Sequence, residues 1–221
     1  MQINGFILQI LLGTVVTIKL ACCAALFGMG VGLIGALLES IPIRWLRYTA
    51  ASIIFIIRGL PELLILFFIY FGLATLFSKL FHHYVDISAF AAGVAALGLI
   101  FGAYAAQVFR GAFLAIDRGQ VEAANAMGFT GWQRFTRVQM PQAWRHALPG
   151  LGNLWLVLLK DTAIVTLVGL TDMMNQAKMA ASTTHQPFTF YLIAAIIYLV
   201  ITSVSQKIIH IFTLQANRYI H

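Results

Sequence analysis

Residues 7–37 read ILQILLGTVVTIKLACCAALFGMGVGLIGAL, with no proline and a single charge, Lys19. About 20 apolar residues carry a helix across the hydrocarbon core of a bilayer, so this run predicts a membrane-spanning helix. No charge precedes Lys19 and the run is too long for the apolar part of a signal peptide. It reads as the first span itself. The composition around it agrees: of 221 residues, 61% are hydrophobic and 10% charged, against about 25% charged in an ordinary soluble domain. A soluble enzyme is excluded as the default.

Working outward, stretches 49–77, 87–109, 150–170 and 188–212 are similarly apolar. The expectation is an all-α integral membrane protein with five transmembrane helices, forming a single domain over residues 1–221. Gly28 and Gly32, and again Gly98 and Gly102, stand four apart. That spacing lets two helices approach closely in lipid, and packing within the chain is its plainer reading. Pro61, inside Arg58-Gly59-Leu60-Pro61-Glu62, must break the hydrogen-bond ladder of the second segment. Adjacent Cys22 and Cys23 are unsuited to an ordinary disulfide and read as small packing residues. No Cys/His spacing resembles a metal site.

The formal charge of +7 is informative through its distribution. Arg44, Arg47, Arg110, Arg118, Arg134, Arg137, Arg145, Lys207 and Arg218 fall in one set of alternate links or at the tail. The other set, which includes the polar link 78–86, holds Lys79 and Lys178. Lys and Arg concentrate on the cytoplasmic side of membrane proteins. The bias therefore places the carboxyl terminus in the cytoplasm and the amino terminus outside, and makes a nucleic-acid partner unnecessary to explain the charge.

A less apolar stretch, 110–149, interrupts the pattern on the basic side. Glu122-Ala123-Ala124 suits a short helix with an acidic residue near its positive end and a smooth alanine face. Gly128 can end that helix, because glycine adopts positive φ without penalty. The result would be a docking knob for another protein.

The order Glu122-Ala123-Ala124, Gly128, then Val138-Gln139-Met140-Pro141 resembles the coupling-loop signature of permease subunits of bacterial ABC importers. Arg58-Gly59-Leu60-Pro61-Glu62, the block Gly102–Gly111 and Leu158-Leu159-Lys160-Asp161-Thr162 are similar to the polar amino-acid branch, which serves histidine, glutamine and arginine. The run from Met140 to Asn153 resembles the arginine-importing members. The resemblance implies the type I importer permease fold in the bacterial cytoplasmic (inner) membrane. It also implies a second permease subunit, identical or paralogous, a dimer of ATP-binding subunits, and an extracytoplasmic amino-acid-binding protein. Glu122, Ala123, Ala124, Gly128 and Pro141 would then couple to the ATPase. ATP and magnesium would be bound by that partner, since this chain has no Gly-x-x-x-x-Gly-Lys-Ser/Thr loop. No cofactor and no catalytic residue is expected here. Trp132 and Trp144 would anchor at the lipid boundary, and His82, His83 and His185 would lie where the binding protein docks.

Charged and polar residues within spans are costly and usually face a cavity or a partner. Arg58, Glu62, Asn153, Lys160, Asp161 and Thr162 are therefore the candidates for a solute path or gate. Arg58 and Glu62, four apart, could pair on one helix face. Asp161 could hold the guanidinium of an arginine-like solute and Lys160 its carboxylate; an internal salt-bridge network is the alternative. The same pattern would also suit a permease for glutamine, histidine, cystine or an opine. From other classes, a secondary transporter would carry inverted repeats. An intramembrane hydrolase would need a nucleophile and base on facing helices, for which Ser203, Ser205 and His210 are the available residues.

Overall fold

The computed structural model describes residues 2–83 and 87–217; Asp86 and Arg218, used above for a link and for the charge bias, lie outside the described residues. Among the described residues every regular element is helical: α1 (Gln2–Ser40), α2 (Arg44–Gly59), α3 (Glu62–Phe67), α4 (Leu73–Phe81), α5 (Ala89–Leu114), α6 (Arg118–Ala126), α7 (Gly131–Arg134), α8 (Met140–Asp161), α9 (Met173–Thr184) and α10 (Pro187–Asn217). π-Helical turns at Phe68–Gly72 and Phe135–Gln139 join α3 to α4 and α7 to α8, and a 3-10 turn, Thr162–Val168, extends α8. Five runs are long and apolar enough to cross a membrane: Gly5–Ser40, Glu62–Leu80, Ala89–Leu114, Gly131–Val168 and Pro187–Ala216.

Several boundaries differ from the expectation. The second span starts at Glu62 rather than residue 49. Leu60 is extended (φ −90°, ψ 143°), as the ring of a following proline requires. Pro61 therefore separates two helices instead of bending one, and α2 stands alone as an amphipathic piece. The interruption 110–149 is shorter than its sequence suggests. Arg110 still belongs to α5, and Pro141 opens α8 directly after the π-helical turn, in which the Met140 N–H donates to the Phe135 carbonyl. Pro149 is tolerated inside α8. The link 171–187 hides α9, whose buried Met173, Ala177, Ala180 and Ala181 recur at helical spacing. Cys22 and Cys23 are both exposed rather than packed inside.

The two glycine pairs face each other. A Cβ on Gly28 would lie 2.6 Å from the Gly98 carbonyl oxygen, and one on Gly32 would lie 2.9 Å from that of Gly102. Higher numbers on α1 meet higher numbers on α5, so these two helices run parallel. Backbones this close leave no room for a side chain, and dispersion contact over their length replaces the hydrophobic drive that lipid does not supply. Gly28→Leu is expected to cost about 1–3 kcal/mol by overpacking. Gly30→Ala, where nothing lies within 4 Å of the added carbon, should cost little. Thermal unfolding of the two detergent-solubilised variants checks this; equal midpoints would contradict the close-packed interface.

α8 returns antiparallel to α5. Trp144 stacks near Phe109 with ring centroids 6.5 Å apart, Gly150 abuts Val108, and Gly93 meets Val165 further along. α10 runs back along α8, with Ile209 against Gly152, and its amino-terminal Phe190 stands edge-on to Phe6 of α1 at 5.9 Å. At that same end Asp172 caps α9, accepting from the Asn175 backbone N–H at 2.9 Å and from the Thr166 hydroxyl at 2.6 Å. Burial pushes the Asp172 carboxyl above the usual carboxylate range, and these hydrogen bonds partly restrain the rise. The Met173 N–H donates to Thr17 of α1 at 3.2 Å, which locks α9 onto α1. The opposite, basic end of the bundle gathers the carboxyl ends of α1 and α5 with α6 and α7, and most of the arginines.

Candidate functional site

Between α3, α5 and α8 lies a cavity of about 280 Å³, lined by Glu62, Leu97, Ile100, Phe101, Tyr104, Leu154, Val157, Leu158 and Asp161. Its position follows from local structure. Pro61 restarts the helix so that Glu62 falls in the first turn of α3, where the positive end of the helix dipole favours a carboxylate. Asp161 is the last residue of α8, at the change to 3-10 geometry. Among the described residues neither carboxylate has a hydrogen bond or an ion pair. Two anionic groups in an otherwise apolar cavity repel each other, and a cationic solute placed between them would relieve both.

The remaining path candidates separate around this cavity. Arg58, four residues before Glu62, forms no pair with it. Its guanidinium carbon stands 5.0 Å from the centroid of the Tyr104 ring, a cation–π contact at the cavity wall. Lys160 does not share the cavity of Asp161; it lines another of about 430 Å³ with Tyr191 and Tyr198 of α10. Adjacent helical residues diverge by about 100°, which puts the two charges on different sides of α8. Asn153 is exposed seven residues before Lys160, on the same helix face. Thr162 is fully buried and its hydroxyl donates to the Leu159 carbonyl at 2.6 Å, a bond internal to the helix. Ser203, Ser205 and His210 all lie on α10, so facing helices do not bring them together.

The sequence-predicted knob is α6. It begins earlier than expected, capped by Asp117, which accepts from the Gly119 N–H at 2.6 Å, so Glu122 sits in the second turn rather than at the start. It ends as expected: Gly128 has φ 77°, its N–H donates to the Asn125 carbonyl at 3.0 Å, and the Phe129 N–H donates to that of Ala124 at 3.1 Å. This double closure is the Schellman arrangement that a left-handed residue permits. The two alanines divide, Ala124 buried against the body of the protein and Ala123 exposed beside Glu122. A Thr130–Gln133 capping box starts α7, and Arg134 donates to the Asn125 side chain at 2.6 Å, so the two helices hold one another. Met127 and Trp132 project from this unit with 74% and 73% of their surface exposed. Pro141 is exposed at the root of α8. The outcome is a rigid, partly apolar protrusion with two exposed carboxylates: Asp117, engaged in capping α6, and Glu122 on its second turn.

Residues 28–213 match the family of binding-protein-dependent transport system inner membrane components. The chain belongs to that family. It is a permease subunit of an ABC importer, embedded in the inner membrane, and a transport component rather than an enzyme. Among its relatives, an arginine ABC transporter permease of Haemophilus influenzae is 44% identical over 98% of this chain and 97% of that one. A histidine/lysine/arginine/ornithine transport system permease of Salmonella typhimurium is 39% identical over 94% and 93%. A solved amino acid ABC transporter superposes with a TM-score of 0.84 at 36% identity, covering 97% of each chain. The methionine transporter, at 18% identity and a TM-score of 0.75, shares the fold. The type I importer permease architecture read from the sequence is thereby shown, and the secondary-transporter and hydrolase alternatives fall away.

Three features of the permease escaped the sequence reading. Tyr104 was quoted only within a block, yet it forms part of the cavity wall and receives Arg58. Glu39, just beyond the apolar run 7–37 and not singled out by it, is buried in the last turn of α1. Its seven- and four-residue spacing from Gly32 and Gly35 was the available signal. His82 and His185 end α4 and α9 in the left-handed conformation, each at φ 56°. They are helix stops, a role histidine takes more readily than most residues.

Proposed function

We propose that this permease passes arginine or another cationic amino acid through the bacterial inner membrane, and that Glu62 and Asp161 bind the solute during transit. The convergence on one cavity of two carboxylates, neither in an ion pair or hydrogen bond among the described residues, carries the reading. Relatives named for arginine, and for histidine, lysine, arginine and ornithine, agree with it. The basic end then faces the cytoplasm and the amino terminus lies outside, as the distribution of Lys and Arg indicates. Arg58, over Tyr104, guards the wall of the path. Asn153 and Lys160, exposed on a spanning helix where lipid would penalise them, face the second permease subunit, whether a copy of this chain or a paralogue. Solute arrives from an extracytoplasmic binding protein. At the cytoplasmic end Glu122, Ala123, Gly128 and the root at Pro141 present α6 to a dimer of ATP-binding subunits, with Ala124 fixing its inner face. Those partners bind ATP and magnesium, and closure of the dimer moves α6 and switches the cavity between its two openings.

Uptake into vesicles containing the whole complex, supplied with its binding protein and ATP, tests the solute class. Labelled arginine should be taken up and be displaced by lysine or ornithine more effectively than by glutamine. Preferential transport of glutamine, cystine or an opine would overturn the cationic assignment while leaving the permease assignment standing.

A further inference from the structure

The face of α1 that carries Gly28, Gly32 and Gly35 continues to Glu39, at successive spacings of four, three and four residues. A close glycine seam thus ends in a carboxylate. Glu39 is 6% exposed. Its Oε1 accepts from the Gln107 side-chain amide at 3.0 Å, and its Oε2 lies 3.4 Å from Nε of Arg110. Both partners belong to the last two turns of α5. The position is electrostatically poor, because a carboxylate in the final turn of a helix opposes the negative end of its dipole. Buried ion pairs rarely improve on apolar packing in stability, and the glycine seam already joins α1 to α5. What the pair adds is direction and register at one point. That point is where α5 is about to leave the bundle: four residues beyond Arg110 α5 ends, and Ala115–Asp117 leads directly into α6. At its far end α1 is fastened to α9 through Thr17 and Met173.

We propose that Glu39, held by Gln107 and Arg110, clasps α1 to the base of α5, so that a displacement of α6 moves both helices as one body. Glu39 is a positioning residue for coupling, and the inference rests on the docking role given to α6 above. Without the clasp the base of α5 shifts alone, the seam slips, and hydrolysis proceeds without the rearrangement that carries solute.

The test uses the assembled transporter in vesicles and reads solute imported per ATP hydrolysed. Glu39→Gln and Arg110→Gln are each expected to lower this ratio about ten-fold, within the range of ordinary coupling energies, with ATP hydrolysis and co-purification of the ATPase retained. The double substitution should be no worse than either single one, because the two groups act as a unit. Glu39→Asp should recover part of the ratio. An unchanged ratio in both single variants overturns the clasp, and so does a parallel fall of uptake and hydrolysis, which marks a merely structural role. Should Glu39→Gln fail to assemble, Arg110→Gln decides alone, since that side chain is half exposed. Glu122→Ala is the reference for the parent reading: if it leaves ATPase attachment and uptake intact, the docking role of α6 fails, whatever the clasp variants show.

Discussion

Asp161→Asn is expected to lower arginine uptake about 100-fold, and Glu62→Gln comparably, with the complex still assembled. Removing one partner of a desolvated, hydrogen-bonded charge pair costs about 2–5 kcal/mol, and about 1.4 kcal/mol is a factor of ten. The effect should be concentrated on cationic solutes, because the lost attraction is charge on charge. A neutral solute that enters the same cavity would lose only a hydrogen-bond acceptor. The mirror substitution at Lys160, Lys160→Gln, should spare solute affinity and act on assembly, since Lys160 lines a different cavity from Asp161. Concentration dependence of uptake, measured beside ATPase activity stimulated by the loaded binding protein, separates these effects. If Asp161→Asn leaves both quantities unaltered for cationic solutes, the cavity is not the path.

Gly128→Val should be the most damaging single change at the basic end, lowering uptake about ten-fold or more through a backbone cost of about 1–2 kcal/mol for a left-handed L-residue and the loss of α6's closure. No atom lies within 4 Å of a Cβ placed there, so crowding within the chain plays no part and the penalty is conformational. The Schellman bonds from Gly128 and Phe129 would open, and the exposed Met127 and Glu122 would lose their fixed relation. Gly128→Asp adds an anion just past the end of α6, and Glu122→Ala removes the one on its second turn. All three variants should insert in the membrane normally and co-purify with less ATPase than the native chain. Undiminished co-purification and uptake across the three would remove α6 as the docking element.

The elements that were legible in advance share a physical cause. Residues 7–37 announce a span because no other environment accommodates so many apolar residues in one helix. Gly128 announces a stop because a residue without Cβ is free at φ 77°. Pro61 announces a break by removing a donor. The glycine pairs on α1 and α5 announce close contact, although nothing local says that they contact each other. The missed elements fail for complementary reasons. α9 carries Asn, Gln, Lys, Ser and Thr beside its buried Met173 and alanines, so average polarity conceals its periodicity. The α2 helix was merged with the next span because both are apolar on either side of Leu60. At the site, Glu62 and Asp161 were singled out as costly intramembrane charges. Their convergence, and the separation of Lys160 from them, depend on helix phase and on the α-to-3-10 change after Asp161, which residue type does not encode.

By itself, the sequence determined the solvent, the number of spans and the places where regular helix must stop, since these follow from transfer energies and backbone sterics that act residue by residue. Tertiary structure decided which polar groups share a space. α1 and α5 run in parallel with glycine against glycine, and this register brings Glu39 to Gln107 and Arg110. The break at Pro61 and the antiparallel return of α8 bring Glu62 to Asp161. Such meetings join residues far apart in the chain, and their energies depend on distance and burial, quantities that exist only once the helices have packed.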